Sequence, residues 1–226
     1  MFKLYKEIVL TVSIFSMANM SVAKSVVLDA GHSPKQAGTT AANGYPEYIY
    51  NLSMTNSIEY FLKRNKIEMH RTFTKEQKIS LVDRATRHGN ANLLISIHHD
   101  SNPKELDHLK NSLHGFSIFV SKKNPHFSKS LKCADHIGKN LIASGETPST
   151  FHGLKIPGEN KELLTRNGVY KYNDLVVLKR SNKPAILIEI GVISNPNEAQ
   201  RLSNQQVIWR ISENIANSIT NCLSFI

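Results

Sequence analysis

Ser25-Val26-Val27-Leu28-Asp29-Ala30-Gly31-His32 is the stretch on which the fold turns. Its first four residues form a short, mostly apolar run of the kind that a sheet buries on both faces. It stops at Asp29-Ala30-Gly31, where small residues let the chain turn sharply and bring backbone close to a ligand. His32 is thus delivered at the carboxyl end of a buried strand, where open α/β sheets place their sites. A histidine held there can bind a metal, shuttle a proton or simply cap the strand. Two further stretches end in the same way: Leu93-Leu94-Ile95-Ser96-Ile97-His98-His99-Asp100, and Ala185-Ile186-Leu187-Ile188-Glu189. Three buried-strand patterns that finish on His or Glu point to one shared site.

Helical periods fill the gaps between these strands. Ser33 to Pro46 is a loop rich in Gly, Ala, Thr and Asn, and it ends at Glu47, directly before a helix whose period runs through Tyr48, Leu52, Thr55, Ile58 and Leu62. A carboxylate at that helix N-terminus is favoured by the dipole, so Glu47 also has a purely structural reading as a cap. Ile67 to Thr72 reads as a strand, and Ser80-Leu81-Val82-Asp83 resembles a capping box that opens a short helix ending at Gly89. After Leu93 to His98, Asn102 to Gly115 is a polar excursion, Phe116 to Val120 a strand, and Pro125 to Ser144 a helix. Gly145 to Tyr172, with Pro148, Gly153, Pro157, Gly158 and Gly168, reads as a long loop with one helical turn at most. Leu175 to Leu178 and Ala185 to Ile190 are expected strands, Pro196 to Leu202 a short helix, and Gln206 to Leu223 a final helix burying Ile208, Ile211, Ile215 and Ile219. Strands alternating with helices imply one α/β domain: a largely parallel, twisted sheet flanked by helices.

The 226 residues suffice for a single domain with a sizeable core. Residues 1–23 read as a secretory signal: Lys3 and Lys6 make a positive start, Ile8 to Met17 a mostly apolar stretch, and Ser21-Val22-Ala23 a small-residue cleavage site. That stretch is short of the roughly 20 residues of a membrane span, so residues 24–226 are expected to be exported, without stable membrane insertion. The formal charge is +10, and removing two lysines and one glutamate with the leader leaves +9. A basic exported chain is drawn to polyanions, although no basic run with interleaved aromatics suggests nucleic acid. The two cysteines, Cys133 and Cys222, rule out a cysteine-based zinc finger. Cys133 falls off the apolar stripe of its helix, so two unpaired thiols are the expectation. Any metal must then use His and carboxylate ligands. His32, His98 and Glu189 gather at one sheet edge, and Glu47 is brought in by the loop after the first strand. Two His and one Glu suit zinc with water in the fourth position, and a further carboxylate can act as general base.

Four motifs carry a family resemblance: Val26 to His32, Glu47 before a helix, Ser96-Ile97-His98, and Ile188-Glu189-Ile190-Gly191-Val192-Ile193-Ser194-Asn195. In this order, from about Ser25 to Leu223, they resemble the zinc-dependent N-acetylmuramoyl-L-alanine amidases of the type 3 class. The resemblance implies His32, Glu47 and His98 as ligands of one Zn2+, Glu189 as the catalytic carboxylate, peptidoglycan as substrate, and a core of about six strands. Two positions depart from the pattern. Ser33-Pro34 follows His32 where glycine is common, and His99 follows His98 where a small residue is common. Side chains alternate along a strand, so His98 and His99 face opposite ways, and His98 is the expected ligand. His70, His88, His108, His114, His126, His136 and His152 share no spacing and read as surface or packing residues.

The implied reaction is hydrolysis of the amide between N-acetylmuramic acid and the first L-alanine of the stem peptide. Another zinc hydrolase of the stem peptide, carboxypeptidase-like, is the enzymatic alternative. A non-catalytic peptidoglycan-binding protein on the same fold is the other, and it sits poorly with the presence of all four site residues. Glu159 and Glu162 lie in the long loop and could in principle reach a metal, but its glycines suit an open loop better than a plug. No activator protein is indicated.

Overall fold

The computed structural model describes residues 24–72 and 79–226; the leader expected over residues 1–23 lies outside the described residues. The first strand, β1 (Ser25–Ala30), is buried at every position, as its unbroken apolar start requires. It leads into α1 (Glu47–Arg64), β2 (Glu68–Arg71), α2 (Leu81–Thr86) and β3 (Leu93–Asp100). Then come β4 (Ser117–Val120), α3 (Phe127–Ala143), β5 (Leu163–Thr165) and β6 (Val169–Lys171). The chain closes with α4 (Val176–Lys179), β7 (Ala185–Val192), α5 (Pro196–Leu202) and α6 (Gln205–Phe225).

Among the described residues, seven strands form one sheet in the order β2-β1-β3-β7-β4-β6-β5. The pairs β1–β2, β1–β3, β3–β7 and β4–β6 are parallel, whereas β4–β7 and β5–β6 run antiparallel. Strand alternation divides the core between two faces. Val26, Leu28, Leu93, Ile95, Ile97, Ile186 and Ile188 pack with residues of α1, α3 and α6, while Val27, Leu94, Ala185 and Leu187 pack with residues of α4. Ile208, Ile211, Ile215 and Ile219 of α6 are buried, each contributing roughly 1.5–3 kcal/mol by leaving water. Ser80 caps α2 as its sequence suggests, accepting from the Asp83 amide at 3.0 Å. No helix among the described residues is long and apolar enough to cross a membrane.

Four expectations need correction. Among the described residues the sheet has seven strands rather than about six, because Gly145 to Tyr172 is not all loop. It holds the small β5–β6 hairpin and a 3-10 turn at Phe151–Gly153, elements too short to leave a period in sequence. Leu175 to Leu178 falls largely in the one-turn helix α4, since four apolar residues fit either state and tertiary packing decides. Cys133 and Cys222 form a disulfide between α3 and α6, with Cα atoms 5.3 Å apart. Both are wholly buried, so Cys133 does lie on the packed side of its helix.

Candidate metal centre

The carboxyl ends of β1, β3 and β7 lie side by side at the centre of the sheet, and the site is assembled there. At the end of β1, Asp29 is fully buried and accepts from Ser96 Oγ at 2.7 Å and Arg84 Nη1 at 3.0 Å. Arg84 also donates to the carbonyls of Ala30 and His32, both at 2.7 Å. This guanidinium therefore holds the turn that presents His32. The turn is tight: His32 has φ 65°, in the left-handed region that non-glycine residues seldom occupy, and Ser33 and Gln36 exchange two backbone bonds of 3.0 Å. Ser33-Pro34, the departure from the family pattern, forms part of this closed turn.

Two glycines make room for the cluster. A Cβ on Gly31 would lie 2.3 Å from the His98 ring. One on Gly38 would lie 2.4 Å from Glu47 Oε2 and 2.8 Å from the His32 ring. Glu47, the first residue of α1, is thereby brought between the two histidines. Its Oε2 lies 3.1 Å from His32 Nε2, and its Oε1 lies 3.1 Å from His98 Nδ1. One donor atom from each of His32, Glu47 and His98 lies within 4.8 Å of the others, and among the described residues this is the one such group. Ligands about 2.0–2.1 Å from a tetrahedral zinc stand roughly 3.3 Å apart, so the spacing and the His/Glu/His donor set fit that ion.

The electrostatics fit as well. Burial raises the Glu47 pKa, but the hydrogen bonds and charges of His32 and His98 outweigh it and hold the carboxyl well below the usual range. Asn51, one turn along α1, donates to Glu47 Oε1 and to the Gly31 carbonyl, each at 3.0 Å. His99 points away from the cluster, as strand alternation requires, and its Nδ1 donates to Asn51 Oδ1 at 2.8 Å. Burial pushes the His99 pKa down to about 3, so its ring is neutral. His99 therefore orients Asn51 behind Glu47.

Glu189 of β7 stands opposite His98 in the parallel register. Its Oε2 is buried with no hydrogen-bond partner among the described residues. Burial, then the charges of Asp100 and Glu47, push its pKa well above the carboxylate range. A carboxylate so placed is costly unless a cation, a donor or water meets it. Beside the cluster lies a cavity of about 540 Å³ whose lining includes His32, Ser33, Tyr48, Ile49 and Leu52.

Glu159 and Glu162 do not join the cluster: Glu159 pairs with His152 and Lys161, and Glu162 with Lys171. Of the two expectations for His152, surface or packing, the second holds. It is buried, and although burial opposes its charge, the hydrogen bonds it donates to Asp100 and Glu159 raise its pKa above the ordinary histidine value. Sequence reading also passed over Arg84 and Asn51. Only Asn51 carried a signal, as a polar residue four positions after Glu47 on the same helix face.

The chain matches the family model described as N-acetylmuramoyl-L-alanine amidase over residues 26–221. It belongs to that amidase family. A putative N-acetylmuramoyl-L-alanine amidase of Buchnera aphidicola subsp. Baizongia pistaciae is 28% identical over 206 residues, covering 84% of this chain and 92% of the relative. The catalytic domain of CwlV, an amidase from Bacillus (Paenibacillus) polymyxa var. colistinus, superposes with a TM-score of 0.70 at 26% identity, covering 90% of this chain and 99% of that one. The amidase from Clostridium difficile 630 gives 0.73 at 25%, with coverage of 90% and 98%. The amidase fold reaches nearly every residue described here, including all four motifs.

Proposed function

We propose that this amidase is a zinc enzyme, exported after loss of residues 1–23, and that residues 24–226 cleave the bond between N-acetylmuramic acid and L-alanine of peptidoglycan. The observation that carries the zinc reading is the convergence of His32, Glu47 and His98 within 4.8 Å, with a buried carboxylate oxygen of Glu189 alongside that has no partner among the described residues. His32, Glu47 and His98 hold the ion. Zinc, when bound, lowers the pKa of its water toward about 7 and polarises the substrate carbonyl. Glu189 takes the proton from the attacking water and passes it to the departing amine of the alanine. Burial, and after it the charges of Asp100 and Glu47, raise its pKa, and a cation held by the cluster would oppose that rise. Asn51 and His99 keep Glu47 in place, and Arg84 keeps the His32 turn closed.

His32 is the outermost of the three, with its side chain one-third exposed, and the neighbouring cavity opens on it. Glu159 and Glu162 are engaged elsewhere, which supports an accessible site and activity without an activator protein. Digestion of purified peptidoglycan by the mature chain, with and without a chelator, tests the whole reading. Mass spectrometry should find free stem peptides beginning with L-alanine and glycan carrying free lactyl carboxylates, with both lost on chelation. Release of the terminal D-alanine alone would instead identify a carboxypeptidase. Binding without cleavage would identify a peptidoglycan-binding protein.

A further inference from the structure

His152 touches none of the three zinc-site residues, yet its surroundings are as constrained as theirs. It sits in the 3-10 turn Phe151–Gly153 and is 4% exposed. Its Nε2 lies 2.6 Å from Asp100 Oδ2 and its Nδ1 lies 2.8 Å from Glu159 Oε2, while Lys161 Nζ sits 2.5 Å from that same Glu159 oxygen. Phe119, Phe151 and Tyr170 pack around the imidazole, with ring centroids 4.0–5.8 Å away. Carboxylate oxygens only accept, so both ring nitrogens donate, and the ring can neither turn nor slide without breaking a bond.

The restrained partner is Asp100, the last residue of β3, two positions beyond His98. The register shift in this region adds its extra residue to β7, between Glu189 and Val192, so β3 keeps its alternation. Asp100 therefore leaves the strand on the same side as His98, with its carboxylate turned to His152. An aspartate on the metal side, one alternation from a ligand, is itself a zinc-type donor. A catalytic zinc, by contrast, uses three protein ligands and an open position.

We propose that His152 is a positioning residue that holds Asp100 off the metal position, so that three protein donors face the ion and a fourth place stays open. The inference rests on the zinc reading of His32, Glu47 and His98. It gives the segment carrying Phe151 to Lys161 a task at the site although none of its residues reaches the cluster. Besides His152, the Asp100 carboxylate has the Ser101 amide on Oδ1 at 2.9 Å. With that one further bond among the described residues, the side chain is free to swing once the imidazole is gone.

The test uses the full mature chain loaded with one equivalent of cobalt(II) for spectroscopy and with zinc for turnover on a soluble muropeptide. Four variants are compared: wild type, His152→Ala, His152→Gln, and His152→Ala combined with Asp100→Asn. Cobalt absorbs strongly in the visible when four-coordinate, here three protein donors and water, and weakly when a carboxylate joins beside the water as a fifth ligand. His152→Ala should keep its metal, lose visible intensity, and drop kcat by roughly 10-fold, with KM within about 2-fold. Adding Asp100→Asn should restore the cobalt band and most of kcat. His152→Gln, which supplies an amide donor toward Asp100, should fall between. A wild-type band and kcat in His152→Ala would overturn the proposal, as would losses that Asp100→Asn does not relieve. If His152→Ala fails to fold, the remaining variants decide: equal cobalt bands in wild type and His152→Gln overturn it, and a weakened band in His152→Gln sustains it. A metal-loaded wild type inert on peptidoglycan would overturn the amidase reading while the cobalt band still judges the latch.

Discussion

His98 and Glu189 face each other across the parallel β3–β7 pair, so the two strands deliver a zinc-type donor and a carboxylate to the same level of the sheet. The register at Leu94–Ala185 through Ile97–Ile188 is unbroken up to that pair and shifts only beyond it. The spacing between His98 and Glu189 is therefore a property of the sheet, not of a loop.

Glu189→Gln keeps the side chain's shape but removes its ability to accept a proton. Zinc content by atomic absorption and the melting temperature should stay close to wild type, whereas kcat on a soluble muropeptide should fall roughly 100-fold or more. Full activity would exclude the general-base role. Loss of zinc would make Glu189 a ligand.

His32→Ala and His98→Ala should each empty the site, leaving the purified chain with well under one zinc. His99→Ala should behave differently, because His99 acts through Asn51. At saturating metal it should still hold one zinc, with affinity weaker by about 10- to 100-fold. An empty site in His99→Ala under those conditions would mean that His99 is itself a ligand.

The Cys133–Cys222 bridge closes a separation of 89 residues between α3 and the C-terminal helix α6. Converting both cysteines to alanine should lower unfolding free energy by about 2–5 kcal/mol. For a domain of this size that corresponds to a melting temperature lower by roughly 5–15 °C. Turnover at 25 °C should change little, since the bridge joins α3 and α6 and neither helix carries any of the four candidate site residues. An unchanged melting temperature would show that α6 needs only its apolar face.

The raised pKa of His152 gives stability a sign with pH. A histidine whose folded pKa exceeds its unfolded value of 6.5 contributes fully below 6.5, and the contribution is lost as pH rises through the folded pKa. Thermal melts from pH 6 to pH 9 should therefore show a stability decline in wild type that is shallower in His152→Gln. Parallel curves for the two proteins would mean that the imidazole carries no extra proton in the fold.

By itself the sequence determined that three buried strands carry His32, His98 and Glu189 at or near their carboxyl ends, because short apolar runs broken by turn residues announce buried parallel strands, although β3 and β7 run on to Asp100 and Val192. It also determined that His98 and His99 point apart, since a strand's period of two leaves no choice. Glu47 was legible as a helix start, and its carboxylate indeed heads α1. Only the tertiary structure decided which remote residues hold these groups. Arg84 reaches Asp29 and the His32 carbonyl from α2, and His152 reaches Asp100 from 52 residues away. Such contacts follow from how strands order themselves in the sheet, and no local period records that. The disulfide was settled in the same way: whether Cys133 meets Cys222 depends on how α3 packs against α6. The extra strands β5 and β6 are three residues each, too brief for any pattern, and they exist because β4 offers an edge to pair with.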